Sequence, residues 1–224
     1  MTKIPIEALP ALYGDFMRQL KRRMGGIDAA LARAATDREG MDAALELEFC
    51  YLQLRMSIEL IALSALIAHN EIEAFRTKDI MKAWHADDLL KRLSDLNPQA
   101  FPTPIVVNEP GPDGVADMFM MPVGDSQERL VSIYGQCGAR LHTGSLRSVL
   151  KTNGRMYRAQ EVRDWRNFIV EMLNAHVVML PSCERMMVTY LLFAPTMDVH
   201  CFLTDFQKDA VIHPLGPPSR KAPH

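Results

Sequence analysis

The chain has 224 residues, of which 48% are hydrophobic and 23% charged, and its formal net charge at pH 7 is -2. Such a chain is long enough to bury a full core as one domain, or as one domain with an appendage. The near-neutral balance excludes a general electrostatic pull toward nucleic acid or anionic lipid, so any such binding has to come from a local patch. Four cysteines, at 50, 137, 183 and 201, stand without a C-x-x-C pair. That spacing argues against a zinc knuckle or a disulfide framework and for buried reduced thiols. Met1-Thr2-Lys3-Ile4-Pro5 lacks the apolar core of a secretory signal, so a cytoplasmic setting is expected.

The spacing predicts an amphipathic helix from Ile6 to about Met24, with Leu9, Leu12, Phe16 and Leu20 on one side and a basic end at Lys21-Arg22-Arg23. Gly25-Gly26 is expected to stop it, and an alanine-rich helix follows from Asp28 to Arg38. Beyond Gly40 a long helix runs from Met41 to Ala74. Its stretch Phe49–Ala68 reaches the length of a membrane span, yet Gln53, Arg55 and Glu59 fall in the middle, where each ionised group costs roughly 2.5–3.5 kcal/mol. The reading is a central buried helix and no membrane.

Thr77-Lys78-Asp79 caps a further helix to Leu96, closed by Asn97-Pro98. Prolines and glycines around Glu109 to Gly114 then separate Ile105-Val106-Val107 from Val115–Met121, the pattern of a hairpin. Gly124-Asp125-Ser126 opens a helix through Leu130 to Leu141, and another runs from Ala159 to Leu180, closed by Pro181. Met187–Phe193 and Val199–Leu203 read as a second hairpin. After Phe206 the chain is Pro-rich and loses periodicity, as a strap or tail does. The fold class is therefore mainly α (α+β): a helical bundle with two small β-hairpins. Residues 1–40 supply N-terminal helices, 41–180 a helical core with a hairpin inserted near 105–121, 181–207 the second hairpin, and 208–224 the tail.

Two constellations carry chemistry. In the long helix Glu48, Arg55, Ala62 and His69 recur every seven residues, and Glu59 lies one turn beyond Arg55, so a polar seam runs along an apolar helix. Either Arg55 and Glu59 form a structural pair that fixes the helix against a neighbour, with His69 near its exposed end, or the seam faces a pocket where Arg55 holds a phosphate and Glu59 orients it. The second constellation is Tyr134-Gly135-Gln136-Cys137-Gly138-Ala139-Arg140-Leu141-His142-Thr143-Gly144-Ser145. A histidine at a helix end before Thr-Gly-Ser suits acid/base work on a phosphate ester, and it equally suits a cap. Cys137 and His142 lie about 140° apart around a helix, which argues against a Cys-His nucleophile.

No Gly-rich phosphate loop and no H-x-x-x-H or H-E-x-x-H pair is present, so no cofactor and no metal is expected. Arg140, Arg147, Lys151, Arg155 and Arg158 make a basic stretch, continued by Arg163 and Arg166, with Tyr157 and Trp165 interleaved. It reads either as a phosphate-contacting surface for RNA, with rings available for stacking, or as a solvated face diluted by Glu161, Asp164 and Glu171.

A long helix with an internal Arg-x-x-x-Glu, followed by a helix ending in Leu-His-Thr-Gly, resembles the HEPN superfamily over residues 41–180. That resemblance implies a helical bundle, an Arg-Asn-x-x-x-His-type signature near a helix end, and, in many members, metal-independent RNA cleavage by histidine and arginine brought together across a dimer, with a setting in bacterial or phage conflict systems. Here Cys137 stands where the arginine is expected and Gly138 where the asparagine is, so the signature is broken; Arg55 or Arg140 would have to supply the cation. Two functions follow. In one, His142 with Arg55 or Arg140 contacts, or cleaves, an RNA phosphodiester. In the other the chain is a non-catalytic protein-interaction or dimerisation module that forms a homo-oligomer or meets a protein partner.

Overall fold

The computed structural model describes residues 4–36, 41–73, 77, 86–97, 100–108, 118–122, 124–142, 157–181, 184–193 and 198–205. Among them are five α helices, α1 (Leu9–Thr36), α2 (Met41–Ala68), α3 (Ala86–Leu96), α4 (Ser126–Leu141) and α5 (Ala159–Leu173). The strands are β1 (Thr103–Val107), β2 (Met118–Met120), β3 (Ala175–Met179), β4 (Arg185–Tyr190) and β5 (His200–Asp205), in one sheet of order β2-β1-β3-β4-β5 with every pairing antiparallel. The fold is mainly α with a small sheet, as the composition of the segments implied. The segments expected at Asp79–His85 and after Phe206 lie outside the described residues.

Two expectations are corrected. Gly25-Gly26 does not end the first helix: α1 runs unbroken through both to Thr36 and absorbs the separate helix expected from Asp28. Each mid-helix glycine costs roughly 0.5–1 kcal/mol relative to alanine. That cost is outweighed by burying Tyr13, Met17, Leu20, Met24 and Ile27 of α1 against α2 and the sheet. The helix expected to reach Leu180 ends at Leu173, and Ala175–Met179 is a strand. This strand pairs with β1 on one side and β4 on the other, so the two expected hairpins are joined into one sheet. The alternation is clean: Val178 and Met187 pack with the helices, whereas Val177, Met186 and Val188 join Ile105 on the other face.

Two buried histidines tie the layers together. The Nδ1 of His176 faces the Leu173 carbonyl at 2.8 Å, leaving Nε2 to accept the Tyr13 hydroxyl at 2.8 Å, so α1 is bonded to β3 through the core. Burial holds the His176 imidazole down at about 4 and raises the Tyr13 phenol, so both stay neutral. His69, expected near an exposed helix end, is fully buried instead, with its ring nitrogens 2.9 Å from the Ala65 carbonyl and 3.0 Å from that of Met179. It joins the end of α2 to β3, and burial lowers its pKa too.

α2 is the central element, packing against α1, α3, α4 and α5. By length and composition Asp42–Ala68 would serve as a membrane span, but 56% of its most apolar window is buried within the fold. Cys50, Tyr51, Leu54, Ile58, Ile61 and Ala65 form its inward side. The other side of this central helix is less covered: Leu45, Phe49, Leu52 and Leu63 are 62%, 40%, 42% and 38% exposed.

Candidate functional site: the outer stripe of α2 and its polar edge

Leu45, Phe49, Leu52, Met56, Glu59 and Leu63 follow one another at alternating steps of four and three, the spacing that keeps side chains on one stripe of a helix facing a like helix. The stripe is about 27 Å long at 1.5 Å per residue. A helix that is apolar on every side belongs in an interior. Here that interior is complete on one side only.

One margin of the stripe is formed with α1. Phe49 lies against Gly26, where an added Cβ would stand 3.8 Å from the ring, and the Arg23 guanidinium donates to Gln53 Oε1 at 2.7 Å. The other margin is formed with α4 and is polar. Arg55 Nη2 donates to the Tyr134 hydroxyl at 2.7 Å, and its guanidinium lies 4.1 Å from the centre of the Tyr134 ring. The Tyr134 hydroxyl in turn donates to Glu59 Oε1 at 3.2 Å, while Arg55 Nε stands 3.6 Å from the same oxygen. Burial raises the Tyr134 phenol. Gly138 makes this arrangement fit: a Cβ there would come within 2.6 Å of Arg55 Nη1, so a larger residue would push the guanidinium tip from its present place on the α4 backbone. Of the two residues that depart from the expected signature, Gly138 is thus the one that lies under Arg55.

Arg55 and Glu59 are neither sealed nor free, at 23% and 34% exposed. An ion pair so open to solvent contributes about 0–1 kcal/mol. Its value lies in holding a cation and a carboxylate at the border of the apolar stripe. His142 caps α4, exposed, with its backbone N–H on the Gly138 carbonyl at 3.0 Å, which places it one turn beyond the glycine under Arg55.

The remaining candidates divide. Arg140 turns to α5, where its guanidinium meets Glu161 at 3.2 Å; Tyr51 donates to the same carboxylate at 2.6 Å. It is therefore committed to holding α4 against α5 rather than to His142. Arg158 is exposed at the start of α5, its backbone N–H bonded to the Tyr51 hydroxyl at 3.2 Å. Arg147, Lys151 and Arg155 lie outside the described residues. Of the expected stacking rings, Trp165 is buried edge-on to Tyr51 and Tyr157 is half-buried against the same ring, so they pack the interior instead of offering faces to bases. Cys137 is buried, which pushes its thiol up to about 12 and leaves no thiolate at neutral pH. Among the described residues no three His, Cys, Asp or Glu side chains converge as metal ligands.

Tyr134 opens the second constellation in the sequence, but sequence reasoning gave it no role beside Arg55 and Glu59. The signal was its spacing: four residues before Gly138 on a helix, it shares the face on which a small residue admits a close neighbour. No family model, curated protein or solved structure matches this chain.

Proposed function

We propose that the protein is an interaction module that pairs with a second copy of itself through the outer stripe of α2. The observation that carries this reading is the exposure of Leu45, Phe49, Leu52 and Leu63 at heptad spacing on a helix that is otherwise core. A second copy is the fitting occupant because four-three spacing mates with an identical stripe, and a two-fold contact requires the same patch on both chains. Covering four half-exposed apolar side chains gives on the order of 1 kcal/mol each. Association costs about 4–15 kcal/mol, so the stripe has to be the centre of a wider contact. Its two margins supply one: Gln53 with Arg23 on the α1 side, and Arg55 with Glu59 on the α4 side. The test is co-purification of two differently tagged copies. Wild-type copies are expected to retain each other, and Leu52→Glu in both copies to abolish retention while the circular dichroism spectrum is kept. Retention unchanged by Leu52→Glu would remove the stripe from the interface.

A second reading is favoured by the placement of Arg55 on Gly138, one turn before exposed His142. In it the chain keeps its HEPN resemblance: His142 and Arg55 contact an RNA phosphate, Glu59 and Tyr134 orient the guanidinium, and pairing along α2 brings two such edges near one another. If the contact is catalytic, His142 is the general acid/base. The measurement is cleavage of a mixed RNA pool in the presence of chelator. Activity lost in His142→Ala and in Arg55→Ala supports this reading; no cleavage and no salt-sensitive retention of RNA by the wild type removes it.

A further inference from the structure

In a second feature, α1, α5 and the segments flanking the β4–β5 connection enclose a hollow of about 320 Å³. α1 contributes Arg18, Lys21, Arg22, Gly25 and the carboxylate of Asp28, positions that follow one another along one side of the helix. α5 contributes Arg166, and the segment after β4 contributes Phe193.

The cations differ in what they already hold. Arg18 meets Asp15 at 2.7 Å, and Arg166 meets Asp28 at 2.7 Å. Arg166 Nε is nevertheless buried with no hydrogen-bond partner, so that guanidinium is only partly satisfied. Arg22 is exposed and has neither a hydrogen bond nor an ion pair among the described residues. Asp198, at the rim, turns one carboxylate oxygen to the backbone N–H of Val199 at 2.7 Å. Gly25 leaves open space, with nothing within 4 Å of an added Cβ.

The wall opposite is held in an unusual conformation. Leu192 has a φ of +42°, in the left-handed region that side-chain-bearing residues seldom enter. It is kept there from several sides: Lys21 Nζ donates to the carbonyls of Leu191 and Leu192 at 2.7 Å each, the Leu192 N–H reaches the Asn174 carbonyl at 3.3 Å, and the Phe193 N–H reaches Asn174 Oδ1 at 3.3 Å. Backbone strain of this kind costs of order 1–3 kcal/mol and is concentrated at ligand clamps. Its effect here is to set Phe193 in the wall of a cationic hollow.

We infer that this hollow binds a small phosphate ester carrying a flat apolar body, of the size of a nucleoside monophosphate. The phosphate meets Arg22 and Arg18, where guanidinium forks match its oxygens, and the flat body lies against Phe193. The volume is at the small end of ligand sites, which suits one such unit and not a polymer threaded through it.

Isothermal titration of the full chain tests this with adenosine monophosphate, adenosine, inorganic phosphate and a short single-stranded RNA. Saturable binding of the monophosphate is expected, at least tenfold tighter than either adenosine or phosphate alone. Arg22→Ala and Phe193→Ala should each weaken it tenfold or more, and Lys91→Ala, at an exposed position on α3, should leave it unchanged. No saturable binding of the monophosphate would overturn the inference. So would binding indifferent to Arg22→Ala, phosphate binding as tight as the monophosphate, or RNA binding that is tighter and equally sensitive to Arg22→Ala. Phe193→Ala leaves His142 and the α2 stripe untouched, whereas Arg22 also lines the shallow pocket beside Phe49 and Gln53, so Phe193→Ala keeps the outcome separate from that of the pairing test.

Discussion

Leu52 and Leu54 sit two residues apart on one helix, yet Leu54 is fully buried and Leu52 is 42% exposed. The chemistry of the residues is the same; what differs is whether this chain supplies a neighbour. Inward, α1, α3, α4 and α5 enclose α2, and polar groups in this interior are sealed and mutually satisfied, as the Tyr13–His176 and His69 contacts are. Outward, the same apolar composition continues to a stripe edged by Arg55, Glu59 and Tyr134, where polar groups are paired but open to water. A side chain that is apolar and exposed at regular intervals points to a surface completed by another molecule.

The comparison breaks first on truncation of the two leucines. Leu54→Ala is expected to lower folding stability by about 2–5 kcal/mol, because it opens a cavity in a packed core. Leu52→Ala should change the folding of the single chain by no more than about 0.5 kcal/mol. Urea unfolding at low protein concentration measures both, and equal costs would show the outer side to be as enclosed as the inner.

The sealed side also carries a pH dependence. His176 is held at about 4, below its ordinary 6.5, by burial. The unfolded chain therefore binds its proton first as pH falls, so the stability this site contributes is complete above about 6.5 and is lost as the pH drops from there toward 4. At about 1.4 kcal/mol per pH unit the loss approaches roughly 3 kcal/mol. His69, lowered in the same direction, adds to it. Unfolding midpoints at pH 7.5 and pH 5 should differ accordingly, and the paired variant Tyr13→Phe with His176→Leu, which removes donor and acceptor together, should flatten the difference. A slope unchanged in that variant would exclude His176 as its source.

Two glycines give the smallest effects and sharpen the contrast between open and occupied space. Gly25→Ala, with nothing to meet, is expected to stabilise by about 0.5–1 kcal/mol through helix propensity. Gly138→Ala should forfeit that gain, because its methyl displaces Arg55 from Tyr134. Equal gains at both positions would show that Arg55 has no fixed seat on α4.

The sequence made the apolar helix, Arg55, Glu59 and both hairpins legible, since each rests on local periodicity or turn chemistry. β3 was hidden because Val177–Leu180 continues the apolar run of α5, and a short apolar run does not separate strand from helix by period alone. Its β-branched pair before Pro181 was the available signal. Gly25-Gly26 misled because packing along α1 and α2 overrides a local propensity worth about a kilocalorie per mole. The outward stripe of α2 was invisible for a deeper reason. An all-round apolar helix carries no mark of which side its own chain leaves bare, and that becomes apparent only once α1 and α4 are placed at its margins.

Sedimentation velocity over a range of concentrations, on the wild type and on Leu52→Glu, tests the central claim most directly. Pairing along α2 predicts a wild-type species of twice the mass of one chain and a Leu52→Glu species of single mass with its helical signal intact. A wild type that stays single at every concentration, or a double-mass species that survives Leu52→Glu, would contradict it.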